Sequence, residues 1–590
     1  MLPKKGYPAV IKIFLNAFGF EGKTISSNPK SEQNNRLSGS NRNNLPSKKS
    51  VKTIESTRKP LIVHEMPNIP ERIEHSVVVD YIGKIVHVTK KVSGDPLFMT
   101  WWRNVQAFDT TYQIKITPLE EIDRLKRSGV GLEGQKTEIF QDSINSARRK
   151  AYDLLTWAVG IGVTDIHVNL RENYGEIFAR VKGSIKMMEQ LPKDEAAALC
   201  VVLYQGFDGV RPGVFSPSQF QSAQISGKDM TRIGLSSIRL ERGFAFPVDQ
   251  GGQFVSARLQ KYNVNAQLTD YVTKVMEERK FPRNLQDPKI PSGTVDLVST
   301  GLSEKQQEML LRVSESADGI ILLTGPTGSG KTSLLSLLMK YIAQVYPDKR
   351  QVSAEDPVEI PMDWVVQLPV ANSSSDKQTG DAFAQYLRIM LRMDPDLIFL
   401  GELRGPEAAV AAFNAALTGH LILSTLHVPD PYMAIDRFEL MDNVRLSRKV
   451  TCDPKLIRAL VAQRVIPVLC PHCSIPFKDS KNVLQPWLCE AIETYGDING
   501  VHVRGPGCSV CGDGIKGRTA VAEVVVTDYT LMDSLIENRT AKARREHRAR
   551  PDTDNSMVYN AVMRSLKGEI DPRTILKHID KITPKGKEDI

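Results

Sequence analysis

The sequence has no long hydrophobic run, although 41% of its 590 residues are hydrophobic. Nowhere do about 18 consecutive apolar residues occur, so no segment is predicted to span a bilayer. The most apolar segment near the start, Ala9 to Phe20, is interrupted by Lys12 and is not followed by a small-residue cleavage site. We therefore expect no secretory signal and a protein that stays in the cytoplasm.

The sequence also lacks an excess of positive charge beyond its first 60 residues. Residues 1–60 contain twelve Lys or Arg and three Asp or Glu, which accounts for the whole formal net charge of +9. A chain-wide basic surface for nucleic acid is therefore not indicated. The basic tail is interpreted either as a solvated disordered segment or as a short amphipathic helix around Ile11, Phe14 and Phe18. Such a helix would dock on a partner or on anionic lipid.

Cysteine is scarce, and four of the seven cysteines fall in two close pairs. The pairs are "CPHC" (Cys470 and Cys473) and "CSVC" (Cys508 and Cys511), with 34 residues between them. In a reducing compartment this pairing favours a metal over disulfides, and four thiolates suit a tetrahedral zinc ion. We predict a zinc site at these four cysteines, with a helix between the pairs and with His472 facing solvent.

The strongest motif is "GPTGSGKT", which follows an apolar strand and precedes an apolar-striped helix. It fits the phosphate-binding loop pattern, in which glycines let backbone amides surround the phosphates of a nucleotide. Lys331 is predicted to reach the outer phosphates of ATP, and the Thr332 hydroxyl to ligate Mg²⁺. The residues predicted to bind ATP are Gly325, Pro326, Thr327, Gly328, Ser329, Gly330, Lys331 and Thr332.

Three clusters of charged residues follow the loop: "AEDPVE" (354–359), "DPDLIFLGELR" (394–404) and "TGHLILSTLH" (418–427). Parallel strands deliver their C-terminal ends to the edge of the sheet that carries the phosphate loop, so acids and histidines there converge on one site. In most nucleotide-hydrolysing enzymes the second cluster would end in an aspartate aimed at Mg²⁺. Here the strand ends in Gly401 and Glu402.

Together these four motifs resemble the signature boxes of the secretion ATPase superfamily, the hexameric motors of type II secretion and type IV pilus assembly. The resemblance covers roughly residues 143–523. It implies that Glu402 polarises the attacking water, and that Glu355 or Asp356 helps to hold Mg²⁺ through water.

The resemblance also assigns roles to the residues beyond Glu402. It makes Arg404 a charge sensor, and His420 and His427 reporters of the γ-phosphate to the subunit interface. Gly405 stands where the family usually has aspartate, so the salt bridge of that aspartate is not expected here.

The segment before the motor resembles the family's second N-terminal domain, a PAS-like α/β layer, through "VTDIHVNL" and "FARVKGSI". The match is looser, because Phe178 and Lys182 stand where arginine and aspartate are usual. "RGFAFPVDQGGQFVSARL" resembles the element that supplies arginines to a neighbouring subunit. Arg242 and Arg258 are the candidates, with Arg239 as the alternative, because a planar guanidinium can span two phosphate oxygens.

The expected fold class is multidomain α/β: a PAS-like domain followed by a RecA-like phosphate-loop ATPase domain with a zinc-binding insertion, in a hexameric ring. The predicted divisions are a basic tail (1–60), an N-terminal α/β docking domain (61–145), the PAS-like domain (146–285), the RecA-like core (286–465), the zinc module (466–525) and a C-terminal helical region (526–590).

The resemblance implies a homo-hexameric ATPase that powers pilus assembly or type II secretion, bound peripherally to the inner membrane through a platform protein. "GDGIKGRTAVAEV" (512–524) resembles the continuation found in extension-type and secretion members, which carry the zinc site. Two alternatives stay open. One is a conjugative or type IV secretion ATPase of the same superfamily, which the four cysteines disfavour. The other is a nucleic-acid motor, which the neutral body disfavours.

Overall fold

The structure is a computed structural model that describes residues 69–80, 84–127, 137–261, 270–278, 285–370, 376–480, 482–537 and 539–586. These residues all fall within one unit of the chain, Met66–Ile590. The predicted basic tail, including its segment around Phe14, lies outside the described residues. Within the described ranges, no helix combines the length and the apolar character that crossing a bilayer requires.

The first described segment forms a small three-stranded sheet in the order β1-β2-β3. Strand β2 pairs antiparallel with β1 and parallel with β3. Asp95 caps α2, the longest helix of this segment, by accepting a hydrogen bond from the Leu97 amide at 2.8 Å. Pro96 occupies the first position of this helix. The elements are α1 (Glu71–Glu74), β1 (Val77–Asp80), β2 (Ile85–Val88), α2 (Pro96–Phe108), β3 (Gln113–Ile116) and α3 (Leu119–Arg127).

The second segment forms an antiparallel sheet of seven strands in the order β6-β5-β4-β10-β9-β8-β7. We call it the N-terminal sheet. Its core includes buried side chains of α4 and α5. The elements are α4 (Thr137–Gly160), β4 (Asp165–Leu170), β5 (Tyr174–Val181), β6 (Ser184–Pro192), α5 (Lys193–Gln205), β7 (Gly209–Val210), β8 (Gln221–Ile225), α6 (Lys228–Arg232), β9 (Leu235–Phe244), β10 (Gln253–Lys261) and α7 (Asp270–Glu278).

The third segment forms the motor sheet, whose order is β13-β12-β14-β15-β11-β16-β19. All neighbours are parallel except β16 and β19. Alternate residues of β11 enter two different cores, Ile320 and Leu322 in one, Ile321 and Leu323 in the other, so both faces of the sheet are covered. This confirms the predicted mixed α/β fold with parallel strands.

The helices of this segment alternate with its strands, and their boundaries follow from capping residues. A capping box between Ser303 and Gln306 starts α8, and Pro406 occupies the first turn of the alanine-rich α11. The elements are α8 (Glu304–Ser314), β11 (Gly319–Thr324), α9 (Lys331–Val345), β12 (Gln351–Glu355), β13 (Val365–Pro369), α10 (Asp376–Met390), β14 (Leu397–Leu400), α11 (Pro406–Leu417), β15 (Leu421–Leu426), α12 (Met433–Met441), α13 (Arg448–Thr451) and β16 (Ile457–Leu469).

The last segment contains the four paired cysteines and then the C-terminal helices. Strand β19 returns antiparallel to β16 and closes the motor sheet, while a two-stranded sheet and α14 occupy the gap between the cysteine pairs. The elements are β17 (Ile475–Pro476), α14 (Pro486–Glu493), β18 (His502–Val503), β19 (Ile515–Val526), α15 (Tyr529–Glu537), α16 (Thr540–Arg548), α17 (Met557–Ser565) and α18 (Pro572–His578), with 3-10 turns at Phe477–Asp479 and Ile498–Gly500.

Candidate nucleotide and metal sites

The predicted phosphate loop connects the buried strand β11 to the start of α9. Gly325, Gly328 and Gly330 have φ angles of 145°, 76° and 80°, which side chains other than glycine rarely adopt. The loop curls around Lys331, whose Nζ donates to the carbonyl oxygens of Gly325 and Pro326 at 2.9 Å each. The first amides of α9 therefore face the same space as the lysine ammonium.

The local chemistry of this loop fits a bound phosphate and its Mg²⁺. The Ser329 hydroxyl is buried and, among the described residues, has no hydrogen-bond partner. A β-carbon at Gly325 would lie 2.5 Å from the Gln463 carbonyl oxygen. Only glycine at this position therefore lets the loop pack so closely against the backbone of β16. Burial lowers the pKa of Lys331 below its usual value, and the negative charge of the nearby Glu402 opposes this shift. Thr332, in the first turn of α9, would supply the hydroxyl for Mg²⁺.

Glu402 lies beyond the end of β14, between a guanidinium and an imidazole. Its Oε2 accepts from Arg404 Nε at 2.7 Å, and its Oε1 lies 3.4 Å from His427 Nε2. Burial lowers the pKa of His427, and Glu402 raises it. The Leu403 amide donates to the Thr425 carbonyl, which fixes this turn against the end of β15. The structure thus brings Glu402, Arg404 and His427 together on the edge of the sheet that carries Lys331.

Glu355 ends β12 on the same edge, but its side chain is turned into hydrogen bonds of the sheet. Its Oε1 accepts from Ser353 Oγ at 2.5 Å and from Gln367 Nε2 at 2.9 Å. Only 2% of Glu355 is exposed, and burial raises its pKa. Its predicted role toward Mg²⁺ stays a prediction.

The structure places His420 and His427 at opposite ends of β15. His420 precedes β15, and its carbonyl accepts from the amide of Gly319, the first residue of β11. Its Nδ1 lies 3.0 Å from the Ala415 carbonyl oxygen at the end of α11. Six strand residues rise by about 20 Å, so His420 lies at the opposite edge of the sheet from the phosphate loop. Its role as a reporter of the γ-phosphate stays a prediction, and the chain's own phosphate loop lies out of its reach.

The candidate trans arginines also lie away from the chain's own phosphate loop. Arg242 is fully buried and donates to Gln221 Oε1 at 3.0 Å and Gln253 Oε1 at 2.8 Å. Its guanidinium also covers the Phe215 ring at 4.0 Å. A neighbouring subunit could not reach it without opening these contacts, which argues against its predicted role. Arg258 is 56% exposed, and Arg239 on the same face of the sheet is exposed.

Two residues of β16 that the sequence analysis did not select support the phosphate loop. Gln463 Nε2 donates to the Ser329 carbonyl at 2.7 Å. Arg464 donates to the carbonyls of Gln463 and Pro429 at 3.0 and 3.1 Å, which ties the loop to the segment after His427. Burial lowers the pKa of Arg464. The sequence signal that could have identified these two residues is a polar pair, Gln463 and Arg464, inside the apolar run "ALVAQRVIPVL".

A second group of charges joins the N-terminal sheet to the other edge of the motor sheet. Asp394, just before β14, accepts from Arg180 Nε and from Arg258 at 3.0 Å, and lies 3.3 Å from His167 Nε2. Asp396 accepts from Arg180 at 2.7 Å and from the Arg350 amide at 2.7 Å. The contacts of His167 and Arg180 with these aspartates link residues more than 200 positions apart. We call the whole group of contacts the inter-sheet network.

The four paired cysteines form one cluster, with their sulfur atoms all within 4.8 Å of one another. The Sγ–Sγ distances are 3.9 Å for Cys470 and Cys508, 3.5 Å for Cys473 and Cys511, and 3.6 Å for Cys508 and Cys511. Four thiolates at the usual Zn–S distance of about 2.3 Å would lie about 3.8 Å apart. The cysteines therefore fit a tetrahedral metal ion, and His472 is exposed as predicted.

Glycines around this cluster make room for it. A β-carbon at Gly505 would lie 1.7 Å from the Cys473 carbonyl oxygen, and one at Gly507 would lie 2.2 Å from the Gly512 carbonyl oxygen. The Gly514 amide donates to Cys511 Sγ at 3.2 Å, an orientation that stabilises a thiolate.

Comparison with known proteins identifies relatives that align with more than half of this chain. Over 381 residues the chain is 30% identical to the type IV pilus assembly ATPase PilB of Thermus thermophilus, covering 64% of this chain and 37% of that protein. Over 350 residues it is 30% identical to the type II secretion system protein E of Pseudomonas aeruginosa, covering 58% and 63%. The chain thus spans less than two thirds of the length of either relative.

A longer alignment joins the chain to the protein transport protein HofB homolog of Escherichia coli, 27% identical over 484 residues, 80% of this chain and 89% of that protein. A family model described as "Type II/IV secretion system protein" matches residues 249–577, more than half of the chain. This confirms the resemblance inferred from the four motifs. The chain belongs to the type II/IV secretion system protein family.

Proposed function

We propose that the chain is an ATP-hydrolysing motor that powers type IV pilus assembly or type II secretion. The observation that carries the proposal is Glu402, placed between Arg404 and His427 on the sheet edge of the phosphate loop. The names of the relatives support the same reading, since they include a pilus assembly ATPase and a secretion system protein.

Hydrolysis needs a water aligned with the γ-phosphate and a group that orients it. Glu402 suits this role because Arg404 holds its carboxylate by a 2.7 Å hydrogen bond. Lys331 and the α9 amides would neutralise the phosphates. Thr332 would hold Mg²⁺, which supplies further neutralisation of the phosphate charge when bound. This arrangement needs no aspartate at the end of β14, because Glu402 acts on water rather than on the metal.

The remaining parts of the proposal concern assembly and location. The chain would act as a homo-hexamer with Arg258 or Arg239 reaching a neighbouring subunit's nucleotide, as a PAS-like domain followed by a RecA-like core. The tetracysteine module would hold Zn²⁺ as a structural ion. The motor would work at the cytoplasmic face of the inner membrane on a platform protein, with residues 1–60 as a contact to it or to anionic lipid.

The test replaces the Glu402 carboxylate by an amide of the same shape. In Glu402→Gln the amide oxygen can still accept from Arg404, so ATP should bind within about twofold of wild type while turnover falls by about 10²–10⁴. Lys331→Ala should lose both binding and turnover. Glu308→Gln, an exposed glutamate on α8, is the matched control and should behave as wild type. Hydrolysis by Glu402→Gln within tenfold of wild type would overturn the assignment.

A further inference from the structure

A cavity of about 280 Å³ lies between the N-terminal sheet and the motor domain. One wall is formed by β5, including Tyr174 and Phe178, and another by residues 288–292. The opposite wall contains Lys340 from α9 and Trp364. Its volume is close to the lower end of small-molecule sites, which run from about 300 to 1,000 Å³.

This cavity is distinct from the phosphate loop. Lys340 follows Lys331 by nine residues on α9, which separates the two by about 14 Å along the helix. The cavity also reaches Gln351, the first residue of β12, whereas the phosphate loop lies beyond the last residue of β11. A ligand here would therefore bind on the other side of the motor domain from ATP.

The cavity lining carries more positive charge than its own acidic side chains neutralise. Five basic residues and two acidic ones face the cavity. Arg350 is committed to the Met393 carbonyl at 3.0 Å, and Arg171 to the Val365 carbonyl at 3.1 Å and to Glu176 at 3.6 Å. The other acid, Asp363, is exposed.

Three lysines remain available for a ligand. Lys289, Lys340 and Lys349 have no carboxylate within salt-bridge distance among the described residues, and Lys349 Nζ instead covers the Tyr346 ring at 4.5 Å. The indole Nε1–H of Trp364 is buried and has no acceptor in the described part of the chain. A buried donor without an acceptor is unfavourable, and an oxygen of a bound ligand would satisfy it. The cavity thus offers several donors and a net positive potential.

We propose that this cavity binds a small phosphorylated compound. Phosphate oxygens are acceptors only, and three lysines and an indole N–H supply the donors that such a group requires. Tyr174, Phe178 and Trp364 provide aromatic faces for the rest of the molecule, so a nucleoside monophosphate satisfies more of the lining than an inorganic phosphate. The ligand contacts both domains, and binding it stabilises their present arrangement by mass action.

The experiment measures binding in the full-length Lys331→Ala variant, so that the phosphate loop does not contribute. AMP and pyrophosphate are the two probes, followed by calorimetry and by tryptophan fluorescence. We expect saturable binding of AMP, tighter than pyrophosphate, with a fluorescence change that Trp364→Phe abolishes. Tighter binding of pyrophosphate than of AMP would also support a site for phosphate anions, and it would identify the ligand as an inorganic phosphate rather than a nucleotide.

Charge-removing variants decide whether the cavity is the site. In the same background, Lys340→Gln with Lys349→Gln should weaken AMP binding at least tenfold. Lys516→Gln, an exposed lysine on β19, should leave it unchanged. No binding of either probe up to 5 mM, or equal weakening by the control, would overturn the proposal. Because no hydrolysis is measured, this outcome is independent of whether the chain is an ATPase.

Discussion

Replacing Asp394 by Asn should loosen the N-terminal sheet from the motor sheet. Asp394 has a positive φ of 58°, and asparagine tolerates this backbone conformation as well as aspartate does. The substitution therefore removes charge without adding backbone strain. It leaves Arg180 and Arg258 facing a neutral amide, so the inter-sheet network loses its central anion.

The size of the effect follows from the pKa of this carboxyl. Burial alone would raise the pKa, but the hydrogen bond with His167 and the charge and hydrogen bond of Arg180 outweigh it and lower the pKa from 3.8 to about 2. At about 1.36 kcal/mol per pKa unit, the ionised carboxylate contributes about 2 kcal/mol. Burial and the charge of Arg350 lower the pKa of His167 to about 3. His167 is therefore neutral at pH 7, and its contact with Asp394 is a hydrogen bond rather than an ion pair.

Two backbone hydrogen bonds report directly on the docking of the two sheets. The Ile185 amide donates to the Asp348 carbonyl at 3.1 Å, and the Phe246 amide to the Gln367 carbonyl at 2.8 Å. In Asp394→Asn at pH 7, both amides should exchange about 30-fold faster, the factor that corresponds to about 2 kcal/mol. Amides within β4 and β14 should be affected less.

The matched control is Asp533→Asn, an exposed aspartate on α15, which should leave the exchange of both amides unchanged. The effect also has a defined pH dependence. A depressed pKa stabilises the docked state above pH 4, and this contribution is lost as the pH falls toward 2. The difference in thermal stability between wild type and variant should shrink over that range. Equal exchange of the Ile185 and Phe246 amides at pH 7 would refute the reasoning.

Two further predictions concern the zinc module and the tail. Metal analysis should find about one zinc per chain. Because metal binding and folding of such sites are coupled, Cys508→Ser should remove the zinc and expose residues 470–511 to protease while ATP binding persists. Metal-free protein with unchanged protease resistance would contradict a structural zinc. Deleting residues 1–60 should preserve ATPase activity but reduce membrane association and abolish assembly in cells, with Phe14→Asp as effective as the deletion if a helix docks in a partner's groove. A truncated chain that still fractionates with membranes would exclude the tail as the attachment.

The phosphate loop could be predicted from sequence because all of its determinants are local. Strand β11, the glycines and the start of α9 lie within residues 319–345 and specify one another through backbone geometry. The cysteine cluster was predictable for a related reason, since each pair is a tight turn and only the distance between pairs is long-range.

Two of the predicted site residues, His420 and Arg242, lie away from the phosphate loop of their own chain. "TGHLILSTLH" contains a complete strand, so its two histidines must lie at opposite ends of β15. The distance was readable from the six strand residues between them. Arg242 lies on a strand whose residues from 240 to 243 are all buried. It lies on the same face of β9 as the core residues Ile238 and Leu240, so alternation along the strand already indicated a buried position. Residues 215–221 enclose its guanidinium there.

The inter-sheet network had no local signal at all, and yet it shares a motif with the candidate catalytic group. "DPDLIFLGELR" begins with Asp394 at one edge of the motor sheet and continues to Glu402 at the other. Between them, β14 is fully buried and paired on both sides, with β12 and β15. We expect a strand held in this way to move as one unit. A displacement of Glu402 would then be passed along β14 to Asp394, and through Arg180 to the N-terminal sheet.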